Sequence, residues 1–161
     1  AASDVYKRQG YYDHMEESHE LLAFYGNEKI WDILAENPRN RVVVFGEQPE
    51  MLRFPCSTQS YTDIEGSGGN FNLSSSPEAL ADFFTFAGVD YIYLGSGYLK
   101  PGTDGFRNVT GLLKQGYLMD LLYENGNGLA VFSSDPKNLT EEESDALLAE
   151  FTEKYWPGEQ Q

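Results

Sequence analysis

Two apolar runs set the pattern of this chain. Val42-Val43-Val44-Phe45-Gly46 has no polar side chain on either face. Gly88-Val89-Asp90-Tyr91-Ile92-Tyr93-Leu94-Gly95 is rich in β-branched and aromatic residues and has glycine at both ends. Short runs of this kind read as strands. A strand apolar on both faces is central and parallel, covered by helices on both sides. The segment between the two runs ends in a helical pattern, Pro77 to Ala87. The order strand, helix, strand reads as a βαβ unit.

Around that pair the other elements follow in order. Glu28 to Asn37 places Ile30, Trp31, Ile33 and Leu34 on one helical stripe, with Asn27 as a cap and Asn37-Pro38 as the stop. Ser76-Pro77-Glu78 opens the next helix, Leu80, Phe83, Phe84 and Ala87 face the core, and Gly88 closes it. Asn108 to Gln115 reads as a short helix with Val109, Leu112 and Leu113 inward. Tyr117–Tyr123 and Leu129–Phe132 read as a hairpin turned at Asn125-Gly126. Thr140-Glu141-Glu142-Glu143 is a capping box for a last helix, along which Ala146, Leu147, Leu148, Phe151 and Tyr155 share a side. Ser57 to Ser76 is polar and glycine-rich and reads as a long loop draped over the core.

These elements predict an α/β fold. It is a single three-layer domain with a small mixed sheet, parallel core strands plus an edge β-hairpin, flanked by helices. The domain spans residues 27–134, and residues 135–157 form a C-terminal covering helix. Residues 10–26 are a linker or a fraying helix, and residues 158–161 a mobile tail. The first nine residues stand apart. Asp4-Val5-Tyr6-Lys7-Arg8-Gln9 is encoded by GAT GTG TAT AAG AGA CAG, the end sequence of transposon adapters used to fragment DNA. Residues 1–9 therefore read as a translated adapter rather than native protein, with the native chain continuing upstream.

Composition narrows the function. With 161 residues and 40% hydrophobic content there is ample material for one core. A net charge of -15 repels phosphate backbones and anionic lipid, which argues against nucleic-acid binding and basic-face membrane docking. The single cysteine, Cys56, has no disulfide partner within the chain and reads as a small hydrophobe. No run reaches the length of a membrane helix.

Candidate chemistry is sparse. His14 and His19 are five apart and do not share a helical face as metal ligands do. Asp63 and Glu65 are two carboxylates, fewer oxygens than calcium takes. Gly66-Ser67-Gly68-Gly69 lacks the lysine and the immediately following helix of a nucleotide phosphate loop. The reading contains no catalytic residue, no metal and no cofactor. Asn-x-Ser/Thr triplets occur at Asn72, Asn108 and Asn138. In open α/β sheets ligands gather at the carboxyl ends of the strands. The loops after Gly46 and Gly95 are thus the candidate binding site, with Glu47, Gln48, Tyr61, Ser96 and Tyr98 as contacts.

Four segments carry a resemblance. They are Ile33-Leu34-Ala35-Glu36-Asn37-Pro38, Arg41 to Gly46, Gly88 to Tyr93, and Gly128-Leu129-Ala130-Val131-Phe132. Together they resemble the soluble C-terminal region of polytopic membrane glycosyltransferases of the GT-C type, over roughly residues 20 to 134. The resemblance implies a domain on the outer membrane face that helps shape an acceptor or lipid-sugar site without doing chemistry. It also implies a lipid-linked sugar or glycan acceptor as partner through the parent protein, and membrane attachment only through upstream segments. The family's acidic catalytic loop has no counterpart here, so no catalytic residue carries over. The alternative is a free-standing α/β module that binds a small ligand at the two loops.

Overall fold

The computed structural model of the chain describes residues 27–46, 54–65 and 73–155. The readings made for residues 1–26, for Glu47 and Gln48, for the Gly66–Gly69 run and for the tail fall outside them.

The centre of the fold is a five-stranded mixed sheet in the order β2-β1-β3-β5-β4. β1 (Arg41–Phe45) lies between β2 (Ser57–Ser60) and β3 (Tyr91–Leu94), parallel to both. The hairpin β4 (Leu118–Glu124) and β5 (Asn127–Phe132) adds to β3 through antiparallel pairing with β5. Asn125 and Gly126 both have positive φ, 51° and 80°, as a two-residue type I′ turn demands.

Alternation along the central strands divides the core in two. Val42 and Val44 of β1, with Tyr93 and Leu129, pack under α1, whose described part is residues 27–35 and which contributes Ile30 and Leu34. Val43, Phe45, Ile92, Leu94 and Ala130 face the other way. There they meet α2 (Tyr61–Glu65), α3 (Pro77–Ala87), α4 (Asp104–Lys114) and α5 (Glu141–Tyr155). All four apolar residues of β1 are 0–1% exposed. This is the three-layer α/β domain that the hydrophobic pattern predicts.

Helix ends follow local chemistry. Ser76 accepts from the Ala79 N–H at 3.1 Å and Pro77 occupies the first turn of α3. Gly88 closes that helix at φ 70°. Thr140 and Glu143 bond reciprocally at the start of α5, as the capping box predicts. Asn27 does not cap α1. Its side chain is buried and accepts from Tyr93 and Asn127, and the cap comes from the Glu124 carboxylate, which takes the Lys29 and Ile30 N–H groups at 3.0 and 3.3 Å.

Two further sequence readings need correction. The Ser57–Ser76 stretch contains a strand and a helix, β2 and α2. Ser-Thr-Gln-Ser has no apolar alternation, and its strand conformation comes from pairing with β1. α4 begins four residues earlier than Asn108, capped by Thr103. Gly105 hid that start, since glycine is a poor helix former. A Cβ there would lie 3.2 Å from Leu99 and 3.4 Å from Tyr61, so the helix needs the small residue to sit close.

Helices α3 and α4 meet at an even tighter point. A Cβ on Gly111 would fall 2.2 Å from Cγ of Pro77, a ring that cannot swing aside. Gly111→Ala is expected to destabilise the domain by about 1–3 kcal/mol, because the helices must separate. Urea denaturation of both proteins checks this, and an unchanged midpoint would show that the two helices do not rely on the contact.

Candidate functional site at the carboxyl ends of the strands

Gly46 and Gly95 end β1 and β3 side by side. The Gly95 N–H bonds the Phe45 carbonyl at 2.8 Å, so the two loops start from one point. A Cβ on Gly95 would stand 3.1 Å from that carbonyl oxygen. The loop then turns over Gly97 at φ 74° and presents Ser96 to solvent.

The predicted contacts divide here. Tyr61 is buried, its ring stacked on Phe45 with centroids 4.3 Å apart. Its hydroxyl accepts from Asn108 Nδ2 at 3.0 Å, so its observed contacts are those of a core residue. Tyr98 is half-buried, and its hydroxyl pairs with Thr62 Oγ1 at 3.0 Å, tying the β3–α4 loop to α2. Ser96 donates its N–H to Asn127 Oδ1 at 2.8 Å and sits over the hairpin turn. The structure thus brings Tyr61 and Tyr98 to one side of the corner and Ser96 to the other.

Residues that the sequence does not place at the candidate site hold this corner together. Asn27 Oδ1 accepts from Tyr93 and from Asn127, each at 3.0 Å, which links α1, β3 and the hairpin. Tyr155, in the last turn of α5, donates to the Gly95 carbonyl and accepts from the Leu99 N–H. Asn108 is fully buried, with Nδ2 also bonded to the Ser74 carbonyl, and its Oδ1 has no partner among the described residues. That burial closes the Asn108 glycosylation triplet within the folded domain. Asn138 is exposed.

The titratable groups are set for structure. Burial pushes the Tyr93 phenol up to about 12, against the opposing hydrogen bond to Asn27. Burial, then the Asp90 charge, pushes the Cys56 thiol up to about 11, so it stays protonated at neutral pH. Among the described residues, no three His, Cys, Asp or Glu side chains gather as a metal set. No helix there is long and apolar enough to cross a membrane.

A second concavity lies at the opposite end of the sheet. It is a groove of about 330 Å³ between the edge strand β2 and the C-terminal end of α3, lined by Arg41, Val43, Ser57, Gln59, Ala87 and Val89. The hydrophobic pattern gave no sign of it, because β2 itself was not legible.

Two outcomes test this corner. Tyr155→Phe removes two bonds to the loop and is expected to cost about 1–3 kcal/mol and to speed amide exchange at Leu99. Unchanged exchange would mean that α5 does not anchor the loop. The second concerns pH. An acid whose pKa is raised by folding stabilises the fold below its unfolded value and loses that contribution as pH rises through the folded one. Tyr93 therefore makes stability fall between pH 10 and 12, by roughly 2–3 kcal/mol when complete. Urea titrations across that range should show a shallower fall in Tyr93→Phe; an identical slope would count against the assignment.

No protein family, curated protein or solved structure matches this chain.

Proposed function

We propose that this chain is a non-catalytic accessory domain of a membrane-bound glycosyltransferase of the GT-C type, or of a related cell-envelope protein. On this reading it lies on the extracytoplasmic face and shapes the acceptor or lipid-sugar site. One observation supports it above others. The Arg41–Gly46, Gly88–Tyr93 and Gly128–Phe132 segments that carry the resemblance lie far apart in sequence. They meet as β1, β3 and β5, three adjacent strands at the centre of the sheet. The Ile33–Pro38 segment completes the set as the end of α1, packed on the same strands. The carboxyl-end corner fits a shaping role, since its side chains hold one another in place and leave a firm surface.

The second reading is a small-ligand module at the same loops. Exposed Ser96 beside the glycine turn favours it. Saturating sugar or nucleotide that raises the melting temperature would support that reading instead.

The test is genetic, then enzymatic. Uninterrupted genomic DNA read upstream of Tyr11 is expected to continue in frame through several hydrophobic spans. Deleting residues 27–155 from that longer protein should leave membrane insertion intact. It should also lower sugar transfer from a lipid-phosphate donor by about tenfold or more, because acceptor positioning is lost. A frame that begins near Ala1, or a deletion with undiminished transfer, overturns the proposal.

A further inference from the structure

The two edges of the sheet are built differently. On the β4 edge, the pairing shifts between Met119 and Leu122, and Asp120 sits in the bulge at φ 51°, exposed. A bulge with a charged residue is how sheets block further strands. The β2 edge has neither device. Ser57-Thr58-Gln59-Ser60 is uncharged in a chain that carries -15, contains no proline and pairs with β1 in unbroken register.

The ladder fixes which groups face outward. The Ser57 N–H bonds the Asn40 carbonyl, and parallel pairing alternates, so Ser57 and Gln59 turn their amides toward β1. Thr58 turns its N–H and C=O away from the sheet. They meet no partner among the described residues, and Thr58 is exposed.

Beside this edge, unpaired among the described residues, lies the groove. Ser57 and Gln59 are in register with Arg41 and Val43, on the face that α3 covers only in part. Arg41 gives one N–H to the Ala87 carbonyl at 2.6 Å, and among the described residues no bond engages the rest of the guanidinium. An open pair of backbone groups and a side-chain groove next to it are the parts of peptide capture by strand addition, and here a cation lies within the groove.

We propose that β2 and its groove bind an extended peptide of another protein as a sixth strand, with an acidic side chain of that peptide on Arg41. The backbone of Thr58 supplies the main-chain bonds. Arg41 supplies selectivity, since a carboxylate suits a guanidinium with free N–H groups. A second copy of this chain suits the site less well. Its own β2 brings no carboxylate to Arg41, and the approach sets two strongly acidic chains together.

The probe is a random twelve-residue peptide library displayed on phage and selected against the whole chain. Enriched peptides are then synthesised, and their affinity is measured by fluorescence anisotropy. Selected sequences are expected to carry Asp or Glu in a β-prone stretch and to protect the Thr58 amide from hydrogen exchange. They should bind Arg41→Gln about tenfold more weakly. Thr58→Pro, which deletes the outward N–H, should abolish binding while keeping the wild-type melting temperature. If that variant fails to fold, Arg41→Gln and the Thr58 exchange rate decide the matter. Failure to enrich any peptide, or peptides that bind both variants as well as wild type and leave Thr58 exchanging freely, overturns the proposal. So does a concentration-dependent dimer that protects Thr58, since a second copy would then be the occupant.

Discussion

Four residues, Val42 to Phe45, lie on a strand paired along both sides and are 0–1% exposed. A strand of that kind cannot stand at a surface. It requires a partner on each side and a helix layer above and below, and the rest of the chain supplies them. β3 pairs along one side and β2 along the other, while α1 covers Val42 and Val44 and the α3–α5 side covers Val43 and Phe45. Each buried aliphatic or aromatic side chain contributes about 1.5–3 kcal/mol. The strand therefore outweighs any single cap or hydrogen bond elsewhere. The tight approach of Gly111 to Pro77 and of Gly105 to Leu99 follows from the need to close the helix layer over it.

Segments whose structure is imposed by their own side chains were legible in the sequence. β1, β3, the hairpin and the helices with apolar stripes fall in this class, as do the caps at Ser76, Gly88 and Thr140. Segments whose structure is imposed from outside were not. β2 is polar and becomes a strand only because β1 offers a ladder. The start of α4 was masked by a glycine that packing, rather than propensity, demands. The cap on α1 escaped because Asn27, adjacent in sequence, looked sufficient, while the group that does the work comes from the hairpin.

The candidate site divides along the same line. The glycines after β1 and β3 stand where two loops diverge, and Ser96 and Tyr98 lie on the second of them. Tyr61 reads as a loop contact in the sequence, yet its ring is stacked on Phe45 in the core. The side chains that define the corner, Asn27, Asn127 and Tyr155, come from α1, the hairpin and α5. No local spacing links them, since only the folded sheet makes them neighbours.

The Glu124 cap has a consequence for how the protein is made. The carboxylate that holds the start of α1 stands 95 residues after Lys29 in the chain. A short helix is marginal alone in water. During synthesis Glu124 leaves the ribosome 95 residues after Lys29, so the Lys29 and Ile30 N–H groups lack that acceptor until β4 has been made. Securing this part of α1 thus waits on the hairpin, and the apolar stripe of Ile30 and Leu34 remains open to chaperones until the hairpin closes.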